Sequence, residues 1–157
     1  YLSEHNEAVL SKLINKNDLN FEELYIAKPH VFISNNHPLA NKEEITIQDL
    51  MLYPYLVFEQ GKHNSFYFSE EFLSSLEFSK NIMVRDRATL FNLLIGLNGF
   101  TVCSGIIDTE LNGENIISKP LDSDCSMRIG ILTRKNSVLS RYGVSYLNIL
   151  KNHLSID

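Results

Sequence analysis

The sequence predicts an α/β fold on a largely parallel sheet, and three observations lead there. Short apolar runs alternate with amphipathic stretches along almost the whole chain. The run Tyr55-Leu56-Val57-Phe58 is apolar throughout, the pattern of a strand covered on both faces. A leucine-rich stretch with Leu90, Leu93, Leu94 and Leu97 at helical spacing then separates two strand-like segments.

The first element is a helix that Ser3 can cap, with Val9, Leu10, Leu13 and Ile14 as its apolar stripe. Acids come early and lysines late, as the helix dipole favours. Residues 24–34 read as a long strand broken at Lys28-Pro29, because proline is confined to edges and breaks. In the stretch VFISNNHPLANKEEITIQDL, Pro38 ends the strand and biases His37 toward an extended backbone. Alone, His37 could be a ligand or a base. With Leu39 turned inward and Asn41, Lys42, Glu43 and Glu44 in water, the tetrad His37-Pro38-Leu39-Ala40 reads as a structural corner.

Thr46-Ile47-Gln48-Asp49 resembles a capping box opening a short helix. After the strand at 55–58, a polar segment over 59–65 leads into a helix with Phe68, Phe72, Leu73 and Leu76 on one face. A strand at 82–84 follows. Asp86 caps the leucine-rich helix, and Gly99 supplies its C-terminal stop. Residues 100–103 form a strand, residues 107–111 a short helix, and 116–121 and 127–133 two more strands. The last helix, near 139–154, carries Tyr142, Tyr146, Leu147, Leu150 and Leu154 at helical spacing. Repeats, low-complexity tracts and linkers are missing from the pattern.

The composition narrows the function. With 157 residues, 44% of them hydrophobic, the chain can bury one ordinary core, and no apolar run reaches the roughly 18–20 residues that span a bilayer. A net charge of −5 lacks the basic footprint of a nucleic-acid-binding domain. Cys103 and Cys125 are too few for a disulfide framework and read as thiols in a reducing cytoplasm, Cys103 buried and inert. The five histidines form no H-E-x-x-H pair and have no cysteine at ligand spacing, so no metal site is expected. No G-x-S-x-G elbow, G-x-G-x-x-G turn or phosphate-binding loop occurs. No catalytic residue and no cofactor are therefore assigned, and the chain is not expected to be an enzyme.

Two loop-to-helix junctions can carry recognition instead. In Gln60-Gly61-Lys62-His63-Asn64-Ser65, backbone amides and the Ser65 hydroxyl can hold a carboxylate, and Gly61 permits close backbone approach. A solvated connection that only caps its helix explains the same residues. At Arg85-Asp86-Arg87-Ala88-Thr89, Arg85 or Arg87 can clamp an anion while Asp86 caps. A surface ion pair or simple capping is the alternative. Ser3 is a third candidate, which capping alone would explain.

In order, these pieces resemble the effector-binding domain of LysR-type transcriptional regulators. That family runs a crossing strand into H-P-L-A, then an I/V-T/S-x-x-D-L helix start, then a strand after Y-P or E-P. Here these are Val31-Phe32-Ile33, His37-Pro38-Leu39-Ala40, Ile45-Thr46-Ile47-Gln48-Asp49-Leu50 and Tyr53-Pro54-Tyr55-Leu56-Val57-Phe58. The leucine-rich helix from Asp86 matches next, with Asn98-Gly99-Phe100-Thr101 replacing the family's usual G-x-G-I ending. The strand at 128–133, followed by Arg134-Lys135 and Leu139-Ser140, resembles the return strand and final helix. The resemblance covers essentially all 157 residues.

It implies a type 2 periplasmic-binding-protein-like domain over residues 1–157, with two lobes joined by crossing strands. Lobe I would take 1–34 plus 116–157, and lobe II 35–115. Family members also carry an N-terminal winged helix-turn-helix, a linker helix and a first strand–helix–strand, and none of these lies ahead of Tyr1. A fragment is therefore expected, with its first lobe incomplete and a partner chain or a rearranged lobe covering the exposed core. The implied ligand is a small anionic or zwitterionic metabolite in the inter-lobe cleft. Transferred by position, its contacts are Ser3, Gln60, Gly61, His63, Asn64, Ser65, Arg87, Thr89, Ser104 and Gly105. The implied partners are this effector, DNA only through the N-terminal domain, and further copies of the chain in a homodimer or larger assembly. The membrane is not among them, and the implied location is cytoplasmic. The competing reading is a solute-binding protein of a transport system, which shares the lobed architecture.

Overall fold

A computed structural model describes residues 11–12, 14–59 and 78–154. Helical residues at 11–12 and 14–16 precede β1 (Leu19–Ala27) and β2 (His30–Ser34), which break at Lys28-Pro29 as expected. Then come α1 (Ile47–Leu50), β3 (Tyr55–Phe58), β4 (Asn81–Val84), α2 (Arg87–Gly96) and β5 (Thr101–Cys103). The chain continues through α3 (Thr109–Asn112), β6 (Ile116–Pro120), β7 (Met127–Arg134) and α4 (Arg141–Leu154). It divides into two compact units, Lys28–Met127 and Leu2–Ala27 with Arg128–Asp157. The expected helix over 68–76 lies outside the described residues.

In the first unit β2 is the middle strand of the order β5-β2-β6 and runs antiparallel to both neighbours. His30 faces Cys103 on one side and Pro120 on the other. β3 and β4 pair in parallel, and a parallel bridge joins Tyr55 to Phe100 just ahead of β5. The Leu56 amide donates to the Phe100 carbonyl (2.8 Å), and the Phe100 amide to the Pro54 carbonyl (2.9 Å). The expectation of a largely parallel sheet is thus corrected. β3, β4, β5 and β6 run the same way, and β2, set between β5 and β6, runs against them.

Because side chains alternate across a strand, β2 feeds two cores at once. Val31 and Ile33 pack with Leu39, Ile45, Leu50, Tyr55, Phe78, Phe100 and Val102. Phe32 points the other way, to Leu56, Val84, Leu90, Leu94 and Ile116. Phe100, fully buried, stacks on Tyr55 with centroids 5.0 Å apart and meets Phe78 edge-on at 5.4 Å, both favourable aromatic geometries.

Asp86 caps α2 as expected, and Leu90 and Leu94 are its buried residues. Its stop is not Gly99 but Asn98, which takes the left-handed backbone at φ +48°. Gly99 is required for another reason. A Cβ there would sit 3.0 Å from Leu56 Cδ1 and 3.2 Å from the Pro54 carbonyl, in the way of the strand pairing beside it.

In the second unit β1 pairs with β7. Gly130 lies beneath the Phe21 ring, where a Cβ would approach the ring to 2.5 Å and also meet the Glu22 carbonyl. Arg128 stacks its guanidinium over Phe21, 5.5 Å from the ring centroid, and pairs with Glu23. Lys151 of α4 pairs with Glu22 of β1. The expected apolar face of α4 is only partly used. Leu147 and Leu150 are half-buried, but Tyr142 and Tyr146 are exposed, because a two-stranded sheet shields only one side of a helix.

Gly130→Ala is expected to destabilise the protein by about 1–3 kcal/mol, the usual cost of forcing atoms into a filled space. Denaturant unfolding of the wild type and the variant measures it.

Candidate functional site

The His37 corner is built from the chain around it. The His37 amide donates to the Ser34 carbonyl (3.0 Å) and the Ala40 amide to the His37 carbonyl (2.9 Å), so the backbone turns twice between Ser34 and Ala40. Leu39 is buried, and residues 41–44 are exposed. The imidazole, only 3% exposed, tilts against Tyr53 with centroids 4.4 Å apart. The Leu39 amide donates to Nδ1 at 3.1 Å, which fixes the proton on Nε2, and Nε2 donates to the Asn98 carbonyl at 3.0 Å. Both ring nitrogens are spent on backbone. Burial lowers the pKa of His37 below 6.5, and the bond to Asn98 offsets only part of that. His37 is a structural side chain that ties the corner to the end of α2.

Below the corner, Thr46 and Asp49 form the expected capping box, with the Thr46 amide donating to the Asp49 carboxylate (3.0 Å) and the Asp49 amide to the Thr46 hydroxyl (3.3 Å). Lys42 donates to the same carboxylate at 2.6 Å. That bond, and next the Thr46 amide, hold the Asp49 pKa down at about 2.

Of the residues expected to touch a ligand, Ser3, Gln60, Gly61, His63, Asn64 and Ser65 lie outside the described residues. Arg87 and Thr89 open α2, while Ser104 and Gly105 follow β5. At α2 the Asp86 carboxylate accepts from the Thr89 amide (2.8 Å) and from the Thr89 hydroxyl (2.7 Å), which lowers the Asp86 pKa. The helix start thus already holds an anion of its own. Arg87 is exposed, its guanidinium 5.0 Å from the centre of the Phe91 ring. Arg85 grips Glu59 through two nitrogens, so the Glu59 carboxyl titrates lower and the guanidinium higher than usual. Of the two arginines, Arg85 is held in an ion pair, and Arg87 lies against an aromatic ring.

At the end of β5, Gly105 adopts φ +90°, a conformation that favours glycine. A Cβ there would lie 2.5 Å from His30 Nδ1, so the imidazole is seated directly on the glycine. The Ser118 hydroxyl donates to the Gly105 carbonyl at 3.3 Å. Side chains of β2 and β6 thereby hold the Ser104-Gly105 turn from two sides. His30 and Ser118 were not among the expected site residues. Their signal is the register that sets His30 beside Cys103, which no local pattern reveals. Cys103 itself is half-buried, not buried, because it ends a three-residue strand where the sheet opens.

Among the described residues, no group of three or more His, Cys, Asp or Glu could hold a metal ion, and no helix is long and apolar enough to cross a membrane. An open hollow lined by Asn17, Asp18, Leu19, Arg134, Lys135, Asn136 and Ser137 contains none of the expected site residues.

Comparisons with known proteins follow the same outline. The LysR substrate binding domain matches residues 7–155. The "Malolactic fermentation system transcriptional activator" of Lactococcus lactis is 28% identical over 138 residues, 85% of this chain and 46% of that protein. The chain thus spans about half the length of this curated relative. Among solved structures, HinK, a LysR family transcriptional regulator from Pseudomonas aeruginosa, aligns with a TM-score of 0.65 at 16% identity. That alignment covers 87% of this chain and 48% of HinK. The effector binding domain of QuiR in complex with shikimate aligns with a TM-score of 0.60 at 17% identity, covering 95% of this chain and 78% of QuiR's. At such identities the structures establish the fold, the type 2 periplasmic-binding-protein-like one.

The His37 corner makes stability depend on pH. The folded pKa is lowered, so below pH 6.5 the unfolded chain takes up a proton that the folded one refuses. This contribution is complete above pH 6.5 and is lost as pH falls toward the folded value. Unfolding midpoints measured from pH 8 down to 5 are expected to drop below 6.5 in the wild type and to drop less in His37→Asn.

Proposed function

Because the chain belongs to the LysR substrate binding domain family, we propose that it is the ligand-sensing part of a DNA-binding transcriptional regulator. The ligand in this reading is a small anionic or zwitterionic metabolite, held between the lobes that the family fold implies. Ser104, Gly105, Arg87 and Thr89 contribute to its binding, together with Ser3 and the segment Gln60, Gly61, His63, Asn64 and Ser65. The regulator acts in the cytoplasm as a homodimer or larger assembly, and DNA is met by a separate N-terminal domain.

The match over residues 7–155 carries this reading. Two further observations support an anion. The Arg87 charge is exposed at a helix start, and a relative is named as the transcriptional activator of a malolactic fermentation system. Sensing requires that the ligand bind one arrangement of the protein better than another, since equal affinity shifts no equilibrium. A turn held by cross-strand side chains fits this role, because ligand contacts there reach strands that run through the core.

A thermal-shift screen of the full-length protein against L-malate, shikimate, benzoate and the amino acids tests the reading. At least one of them is expected to raise the unfolding midpoint. In Thr89→Ala the rise, taken from that variant's own midpoint, is expected to be smaller. A protein whose midpoint none of them moves would overturn the anionic or zwitterionic ligand.

A further inference from the structure

We propose that His30 is a ligand-contacting residue of the Ser104-Gly105 site, with its Nε2 reading a hydroxyl or carboxylate of a small organic acid. The inference rests on the ligand-sensing reading above and adds to it a residue that the family pattern does not mark.

Two histidines bracket the buried part of β2, His30 as its first residue and His37 beyond its end. At His37 both ring nitrogens are bonded to backbone, and the side chain is nearly fully buried. His30 differs on each count. Its Nδ1 lies 3.0 Å from the Lys28 carbonyl, which can only accept, so Nδ1 carries the proton. Among the described residues Nε2 has no hydrogen-bond partner. The residue is half-buried.

Three contacts fix where the ring sits. The Lys28 carbonyl holds one edge, and Gly105 lies against its face, with Nδ1, Cγ and Cε1 at 2.5, 2.7 and 2.9 Å from where a Cβ would stand. Strand pairing with Cys103 and Pro120 fixes the backbone beneath. The closest approach is at the Nδ1 end of the ring, and Nε2 is not among the three nearest atoms. The Ser118 hydroxyl anchors the Gly105 carbonyl, so the turn cannot swing away from the imidazole at low cost.

A nitrogen held this way is preorganised for recognition. Neutral, Nε2 accepts from a hydroxyl. Protonated, it donates to a carboxylate and adds a charge to that bond. A hydroxycarboxylate offers both groups within a few ångströms, and it belongs to the anionic class already proposed.

Two substitutions separate contact from positioning. In His30→Asn the amide takes the place of Nδ1 and keeps the bond to Lys28 while removing Nε2. In His30→Gln the amide reaches the Nε2 position instead. Calorimetric titration of the full-length protein with L-malate, shikimate and benzoate is expected to show His30→Asn binding at least about tenfold more weakly than wild type, with His30→Gln closer to it. The ¹⁵N resonance of His30 Nε2 in the wild type, which needs no variant, is expected to move on addition of the bound acid. Wild-type affinity in His30→Asn, or an Nε2 resonance that the bound acid leaves in place, overturns the inference and leaves the sensing reading standing. A wild type that binds none of the three acids overturns the organic-acid ligand itself.

Discussion

The fold depends on one strand having no solvent face. Val31, Phe32, Ile33 and Ser34 of β2 are all buried, Val31 and Ile33 completely. A strand flanked on both edges and covered on both faces can sit in only one register, since a slip of one residue would exchange its two sets of side chains. Phe32 would then face the cluster built around Phe100, while Val31 and Ile33 would be left to fill the space beside Leu90 and Leu94. Full burial of such side chains is worth about 1.5–3 kcal/mol each, enough to set the register against any local preference.

Everything placed at the ends of β2 inherits that precision. At one end the chain turns through His37, whose ring bonds reach the Leu39 amide and the Asn98 carbonyl. The corner is therefore tied to the stop of α2, where Asn98 is left-handed and Gly99 lets Leu56 come close. At the other end His30 lies on Gly105 beside β5. One histidine is consumed by structure, and the other keeps a ring nitrogen over. The difference follows from position, not from residue type.

Much of this was legible in the sequence wherever the signal is local. The break at Lys28-Pro29, the capping box at Thr46, the strand Tyr55–Phe58 and the Asp86 cap each depend on residues within a few positions of one another. The His37 corner could be read because Pro38 and Leu39 constrain it directly. What stayed hidden is long-range. Local pattern does not give strand direction, so the antiparallel setting of β2 was missed, and so was the seating of His30 on a glycine 75 positions away (30 to 105). The exchange of roles between Asn98 and Gly99 has the same cause. Either residue can end a helix, but only one had to admit Leu56. The candidate site shared this limit. Ser104 and Gly105 came from a family pattern, whereas His30 and Ser118 needed the pairing of three strands.

Hydrogen–deuterium exchange on the full-length protein, with and without a saturating organic acid identified by the thermal-shift screen, reads the coupling of the Ser104-Gly105 turn to β2. The acid is expected to slow exchange at residues 104–106 and at the start of α2, with protection spreading into β2. Protection confined to residues 17–19 and 134–137, with residues 104–106 unchanged, would contradict it.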